Sequence, residues 1–319
     1  MLRRIALALA FASVATVLYL GAGVFLAKRA IVAIAPELPS ADALLAFDPS
    51  ADLPVRLSWL NTASQAMPRA SVLEASLDPT PNAPFVMSHP SFVLQWADGR
   101  VFLIDLGMDP AAAQAFGRPL EWLGGAEEMK PLGSAAERLG ETLARVAGVA
   151  FTHAHPDHTE GVADLCRLHP SPIPLFQGRL QVEESNYTTR SAQRQLDAAK
   201  CLERHVLDGG PLFAVPGFPG LAFFAAAGHT PGSQVFVAHV RAGGTIRAFV
   251  FTGDVVNQID GVRQNLPKPR LYSLFLVPES TVRLDELRRF LAGLERDNGA
   301  TLLVSHDQQA IQASGLPAL

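Results

Sequence analysis

Thr152-His153-Ala154-His155-Pro156-Asp157-His158 sets four potential metal ligands within six residues, and its reading decides the fold. His153 and His155 are two positions apart, so at the end of an extended strand both rings point to one side and can grip one ion. Asp157 and His158 follow Pro156, where the chain changes direction and a second ion comes within reach. Imidazole and carboxylate donors without thiolate suit zinc, manganese or iron in a hydrolytic site. The residues just before, Gly148-Val149-Ala150-Phe151-Thr152, read as a short buried strand that carries the cluster.

Three further segments share that character, a polar residue directly after an apolar strand, where ligands are commonly mounted on a rigid scaffold. Phe223-Phe224-Ala225-Ala226-Ala227 leads into Gly228-His229-Thr230-Pro231-Gly232-Ser233, Ala248-Phe249-Val250-Phe251 into Thr252-Gly253-Asp254, and Leu302-Leu303-Val304 into Ser305-His306-Asp307. Taken singly, His229 or His306 is more often a capping or core histidine. Together with the first cluster they make five histidines and two aspartates on four strand ends.

Working outward, strands are expected at 55–60, 91–96 and 101–105, the last two joined by the Ala97-Asp98-Gly99 turn, and at 221–226, 234–240, 245–252 and 301–305. A helical pattern fills Pro110–Ala147, and an amphipathic helix runs over Ser280–Arg296. Two sheets packed face to face with helices outside suit that order, and no repeat of fixed period is present. His89, His169, His205 and His239 read as structural or surface residues, His89 standing before an apolar strand from which it could approach the site though the spacing does not require it, while Tyr187 and the polar stretch 185–194 are placed in a loop over the pocket.

The chain has 319 residues, 49% of them hydrophobic, enough for a sizeable core. A net charge of −4 from 26 basic and 30 acidic residues offers no stripe for a phosphate backbone, so nucleic acid is not expected as a partner. Cys166 and Cys201 form no C-x-x-C pattern; two separate semi-buried thiols are the preferred reading, with a disulfide as the alternative. From Ile5 to Ala27 run 23 uncharged residues, bracketed by Arg3-Arg4 and Lys28-Arg29. That length spans a hydrocarbon core of ~30 Å as a helix and exceeds the apolar region of about 7 to 15 residues in a cleaved signal. Residues 1–29 are therefore read as a transmembrane anchor, the Pro-rich residues 30–53 as a tether, and 54–319 as the catalytic domain. The domain is expected on the extracytoplasmic side, periplasmic in a bacterium, with secretion after signal cleavage as the alternative.

The ordered motifs His153-x-His155-x-Asp157-His158, His229, Asp254 and His306 resemble the metallo-β-lactamase superfamily over 54–319. The resemblance implies an αββα sandwich and two divalent ions, zinc by preference: one on His153, His155 and His229, the other on Asp157, His158 and His306, with Asp254 bridging. It also implies that ion pair activating a water to attack a small-molecule substrate, Asp157 orienting the nucleophile, and Asp105 supporting the ligand loop through hydrogen bonds. Trp59-Leu60-Asn61-Thr62, Ile104-Asp105-Leu106-Gly107-Met108, Gly228-His229-Thr230-Pro231-Gly232 and Ser305-His306-Asp307 look like the lactonase-like branch. That branch often has a tyrosine three residues past the bridging aspartate, where this chain has Asn257. An ester or lactone is the expected substrate. An iron-dependent dioxygenase of persulfides, a β-lactamase or a phosphodiesterase of the same fold are the alternatives.

Overall fold

The computed structural model describes residue 11, residues 21–169 and residues 171–319. Among the described residues, twelve strands form two sheets. The larger has the order β4-β1-β2-β3-β5-β6-β7, with β1 Arg56–Pro68, β2 Pro84–Gln95, β3 Val101–Ile104, β4 Lys130–Pro131, β5 Val146–Ala150, β6 Ile173–Gly178 and β7 Leu202–Leu207. The smaller has the order β12-β11-β10-β9-β8, with β8 Phe213–Ala214, β9 Leu221–Ala225, β10 Gln234–Ala242, β11 Thr245–Phe251 and β12 Thr301–Leu303.

Trp59, Phe92, Trp96 and Phe102 of the larger sheet and its β2–β3 turn meet Phe223, Phe236, Phe249 and Phe251 of the smaller in one buried cluster between the layers. The outer face of the smaller sheet, with Val235, Val237 and Val250, is covered by Leu284, Leu287, Leu291 and Leu294 from the Thr281–Asn298 helix. Leucines at that spacing lie on one stripe, which explains why this helix was legible in the sequence. On the far side, Val93, Leu103, Val149 and Leu175 pack under the helices Ala135–Leu139, Val162–Leu168 and Arg190–Ala198. The order of layers is helix, sheet, sheet, helix, as expected.

The structure departs from the sequence reading in several places, among them the stretch 185–194 expected as a loop, which is helical from Arg190 on. The helical pattern over 110–147 is not one helix: after Pro110–Trp122, Gly124-Gly125 and Pro131 break it, and a strand, the short helix Ala135–Leu139 and a 3₁₀ turn follow. The strands β6 and β7 were not foreseen, because Pro172, Pro174 and a polar, exposed β7 lack the alternation of a half-buried strand. Residues 30–53, expected as a free tether, carry a helix at Ala41–Leu45 and lie on the domain. Leu44 enters the core, Phe47 stacks on His239 at 4.8 Å, and Asp52 pairs with Arg100 at 2.7 Å. Finally, Cys166 and Cys201 are joined in a disulfide, not separate, with Cα atoms 5.3 Å apart. Parallel pairing of β6 with β7 carries Cys201 back to the helix that bears Cys166, a proximity invisible in linear spacing.

Replacing both cysteines by serine is expected to lower the unfolding free energy by about 3–4 kcal/mol, the loop-closure contribution over a separation of 35 residues. An unchanged urea midpoint would show the bridge to be energetically silent.

The expected membrane-spanning run Ile5–Ala27 falls largely outside the described residues. Residues 21–33 are helical, and no helix among the described residues is long and apolar enough to cross a membrane.

Candidate metal centre

All seven residues singled out by the motifs converge at one end of the sandwich, because five strands end there. The strand β5 delivers His153, His155, Asp157 and His158; β9, β11 and β12 deliver His229, Asp254 and His306; β3 delivers Asp105. Every one of them is buried.

Their donor atoms face two foci. At the first, His155 Nδ1 lies 3.1 Å from His153 Nε2 and 3.0 Å from His229 Nε2, with Asp254 Oδ2 at 3.5 Å from His229 Nε2. At the second, His306 Nε2 lies 3.3 Å from Asp157 Oδ2 and 3.1 Å from Asp254 Oδ1, and His158 Nε2 is 3.4 Å from that same Asp254 oxygen. Donors held ~2.0–2.1 Å from one tetrahedral ion sit about 3.3 Å apart, so these separations suit an ion between the atoms. Among the described residues, His158 Nε2 and Asp254 Oδ1 of the centre find no hydrogen-bond partner. A buried polar atom left alone costs about 1–3 kcal/mol, and a cation between them removes that cost. The residues therefore fit a metal pair.

The outward ring nitrogens are all engaged. His153 Nδ1 meets Thr152 Oγ1 at 3.1 Å, His155 Nε2 meets Thr188 Oγ1 at 2.9 Å, and His306 Nδ1 meets the Ser88 carbonyl at 2.8 Å. His158 Nδ1 contacts Asp105 Oδ2 at 2.8 Å, and His229 Nδ1 contacts Glu279 Oε1 at 2.6 Å. Such outer contacts choose the tautomer and turn the lone pair inward. Asp105 also accepts from Thr152 N and Thr152 Oγ1, tying the ligand loop to β3. Its φ is +58°, a left-handed conformation that aspartate tolerates better than most residues. Close packing continues at Gly107 (φ +58°), where a Cβ would lie 2.0 Å from Thr62 Oγ1.

Three residues of this network escaped the sequence reading. Glu279, wholly buried, also accepts from Lys268 Nζ at 2.7 Å; Lys268 reaches the Asp254 carbonyl and lies 3.1 Å from His229 Nδ1. The only trace of Glu279 in the sequence is an acid interrupting the apolar run Leu274–Pro278. His89, read as structural, is fully buried with Nδ1 at 3.4 Å from Asp157 Oδ2 and its ring 5.0 Å from that of His306. Its position in the middle of β2 gave no strand-end signal. The loop expected over the pocket does approach the centre, through Thr188. Asn257 is buried, but among the described residues it hydrogen-bonds none of the seven, and its Oδ1 is unpartnered.

Burial pushes His153, His155 and His229 down, reinforced by His158 beside His153, His229 beside His155 and Lys268 beside His229; His155 falls to about 3. The first focus is thus neutral imidazole, the form that ligates. Burial also works against charge on His158 and His306, but Asp105 and Asp157 raise the former and Asp254 the latter above the usual imidazole range. Protons on these two rings balance the buried carboxylates until a cation replaces them. Metal uptake at the second focus is therefore expected to release protons and to weaken as pH falls. Zinc titration calorimetry in buffers of different ionisation enthalpy checks this; a heat independent of the buffer would refute it.

Residues 85–306 match the family model of the metallo-beta-lactamase superfamily. No curated protein matches the chain. Among solved structures, a quorum-quenching N-acyl homoserine lactone lactonase superposes with TM-score 0.60 at 16% identity, covering 84% of this chain and 98% of its own. An N-acyl homoserine lactone hydrolase with N-hexanoyl-L-homoserine at its catalytic metal centre gives 0.59 at 15% identity over 84% and 98%. A dizinc quorum-quenching lactonase gives 0.53 at 15% identity over 81% and 92%. At such identities the superpositions speak for the fold alone. The family match spans more than half the chain and includes the convergent histidines and aspartates, and on that ground the chain belongs to the metallo-β-lactamase superfamily.

Proposed function

We propose that this protein is a binuclear metal-dependent hydrolase acting on an ester or lactone. The observation that carries this reading is the pair of ligand foci flanking one carboxylate, Asp254, which lies within 3.5 Å of ring nitrogens of both. His153, His155 and His229 would hold one ion and Asp157, His158 and His306 the other, zinc being the ion that such nitrogen and carboxylate sets suit. When bound, the ions supply Lewis acidity, lowering the pKa of a water and polarising the carbonyl under attack.

The chain's own groups do the remaining work. Burial would raise the Asp157 carboxyl, but His158, the contact with His89 and the charge of His306 override it and keep Asp157 deprotonated. A carboxylate so placed can orient an attacking water, accept its proton and return it to the leaving alkoxide. A mononuclear iron dioxygenase is less well supported, because every donor of the second focus is present and buried.

Purified protein is expected to hold two zinc ions per chain and to turn over lactones or aryl esters without oxygen. One iron per chain with oxygen-dependent activity would overturn the reading. The reading extends to the setting: Ile5–Ala27 anchors the chain in a membrane with the domain on the extracytoplasmic side. The Cys166–Cys201 disulfide supports that side, since such bonds persist in oxidising compartments.

A further inference from the structure

The segment between Lys268 and Glu279 leaves the metal centre and returns to it. Lys268 Nζ reaches the Asp254 carbonyl and Glu279 Oε1 reaches His229, so both ends are fastened beside the foci. Between them the chain makes a π-helical turn over Tyr272–Leu276. This turn presents Leu271, Leu274, Phe275 and Leu276 to solvent, with Leu271 71% and Leu276 63% exposed. Tyr187 Oη donates to the Phe275 carbonyl at 3.2 Å, and its neighbour Thr188 contacts His155, so the turn and the 186–189 loop form one rim over the site. Contiguous exposed apolar side chains of this size mark an interaction surface.

A second apolar feature lies beside the rim. Lys28, on the helical stretch 21–33, donates to the Glu279 carbonyl, and Ala27 and Ile31 are buried, while Phe25 and Leu26 stay 65% and 62% exposed. That stretch is the end of the uncharged run Ile5–Ala27. The end of the run thus lies beside Glu279, the residue that closes the segment bearing the rim.

We propose that the rim over Leu271–Leu276 rests in the surface of a lipid bilayer, with the mouth of the metal site opening at the hydrocarbon boundary, so that amphiphilic substrates enter from the lipid phase. The proposal rests on the membrane setting given above, and the occupant follows from continuity. The uncharged stretch of sequence ends at Ala27, next to Lys28 and its contact with Glu279, and hydrocarbon is the neighbour that suits both that stretch and the exposed turn.

The test uses the full chain reconstituted in vesicles of phosphatidylcholine and phosphatidylglycerol, with Phe275→Trp as reporter. Brominated phosphatidylcholine is expected to quench the added tryptophan at least about twofold more than the wild-type background, which includes exposed Trp122. Quenching no greater than that background, in protein that sediments with the vesicles, overturns the proposal, as does an emission shift on adding unlabelled protein, which would assign the rim to a second copy. Failure to sediment at all would instead remove the membrane setting and the proposal together. A double variant Leu274→Glu/Phe275→Glu is expected to lower the ratio of vesicle-borne dodecanoyl ester turnover to soluble butyryl ester turnover about tenfold, through KM rather than kcat. An unchanged ratio counts against it. Absence of turnover with either ester would refute hydrolysis while leaving the quenching result to decide the lipid contact.

Discussion

Asp254→Ala is expected to abolish stable metal binding at both foci and to lower kcat/KM by about 10³-fold or more, with the sandwich still formed. The reason is geometric. Asp254 lies between the foci, with Oδ2 at 3.5 Å from His229 Nε2 and 3.1 Å from His306 Nε2, and Oδ1 at 3.4 Å from His158 Nε2. It also supplies charge among the buried imidazoles, where His306 above all holds its carboxyl well below the usual range against the opposing effect of burial. Without it neither ion keeps its shared anionic donor. His155→Ala removes only Nδ1 from the first focus, so its metal content should fall to about one ion per chain, with nearly all activity lost. Metal analysis with far-ultraviolet circular dichroism separates these outcomes from misfolding. Wild-type turnover by either variant would show the two-ion reading to be wrong.

Glu279→Ala carries the next largest effect, and the sequence motifs do not announce it. Its carboxylate is buried against Lys268 Nζ at 2.7 Å and His229 Nδ1 at 2.6 Å. Removing it leaves the Lys268 ammonium buried without its counter-charge and His229 free to turn or to change tautomer. Breaking a buried pair from one side costs about 3–5 kcal/mol, and losing the partner of a ligating histidine costs about 10- to 100-fold in metal affinity. Glu279→Gln keeps a hydrogen-bond acceptor but not the charge, so it should restore part of the metal affinity and less of the stability. Chelator competition reads the first quantity and urea unfolding the second. Equal affinities for all three proteins would remove Glu279 from the centre.

The same residue makes stability depend on pH. Burial opposes ionisation of Glu279, but Lys268 and the hydrogen bond with His229 win and bring its carboxyl down to about 2. A depressed carboxyl contributes stability that is fully present above its unfolded value near 4.5 and is lost as pH falls toward 2. The wild-type protein should therefore lose stability more steeply than Glu279→Ala across that window.

The likeness of this chain to the family, its alternation of strands and its seven candidate ligands were legible in the linear order for one physical reason. A ligand mounted where a strand ends is written as an apolar run followed at once by His or Asp, and such local grammar survives without knowledge of neighbours. His153, His155, His229, Asp254 and His306 all carry it. Asp105, which orients His158, carries it too, but the other residues that orient these ligands have no such grammar. Glu279 and Lys268 come from the segment that loops over the site, His89 from the middle of a strand, and Thr188 from a polar loop. Their roles exist only through contacts between segments far apart in the chain, as between Glu279 and His229, which are 50 positions apart. The disulfide is of the same kind, since β6 and β7 must pair before Cys166 meets Cys201. Sequence alone thus determined which side chains could bind metal, because strand-end placement is local. Tertiary structure decided which nitrogen faces inward and how each ring is held, because those depend on buried charge and hydrogen bonds that only packing brings together.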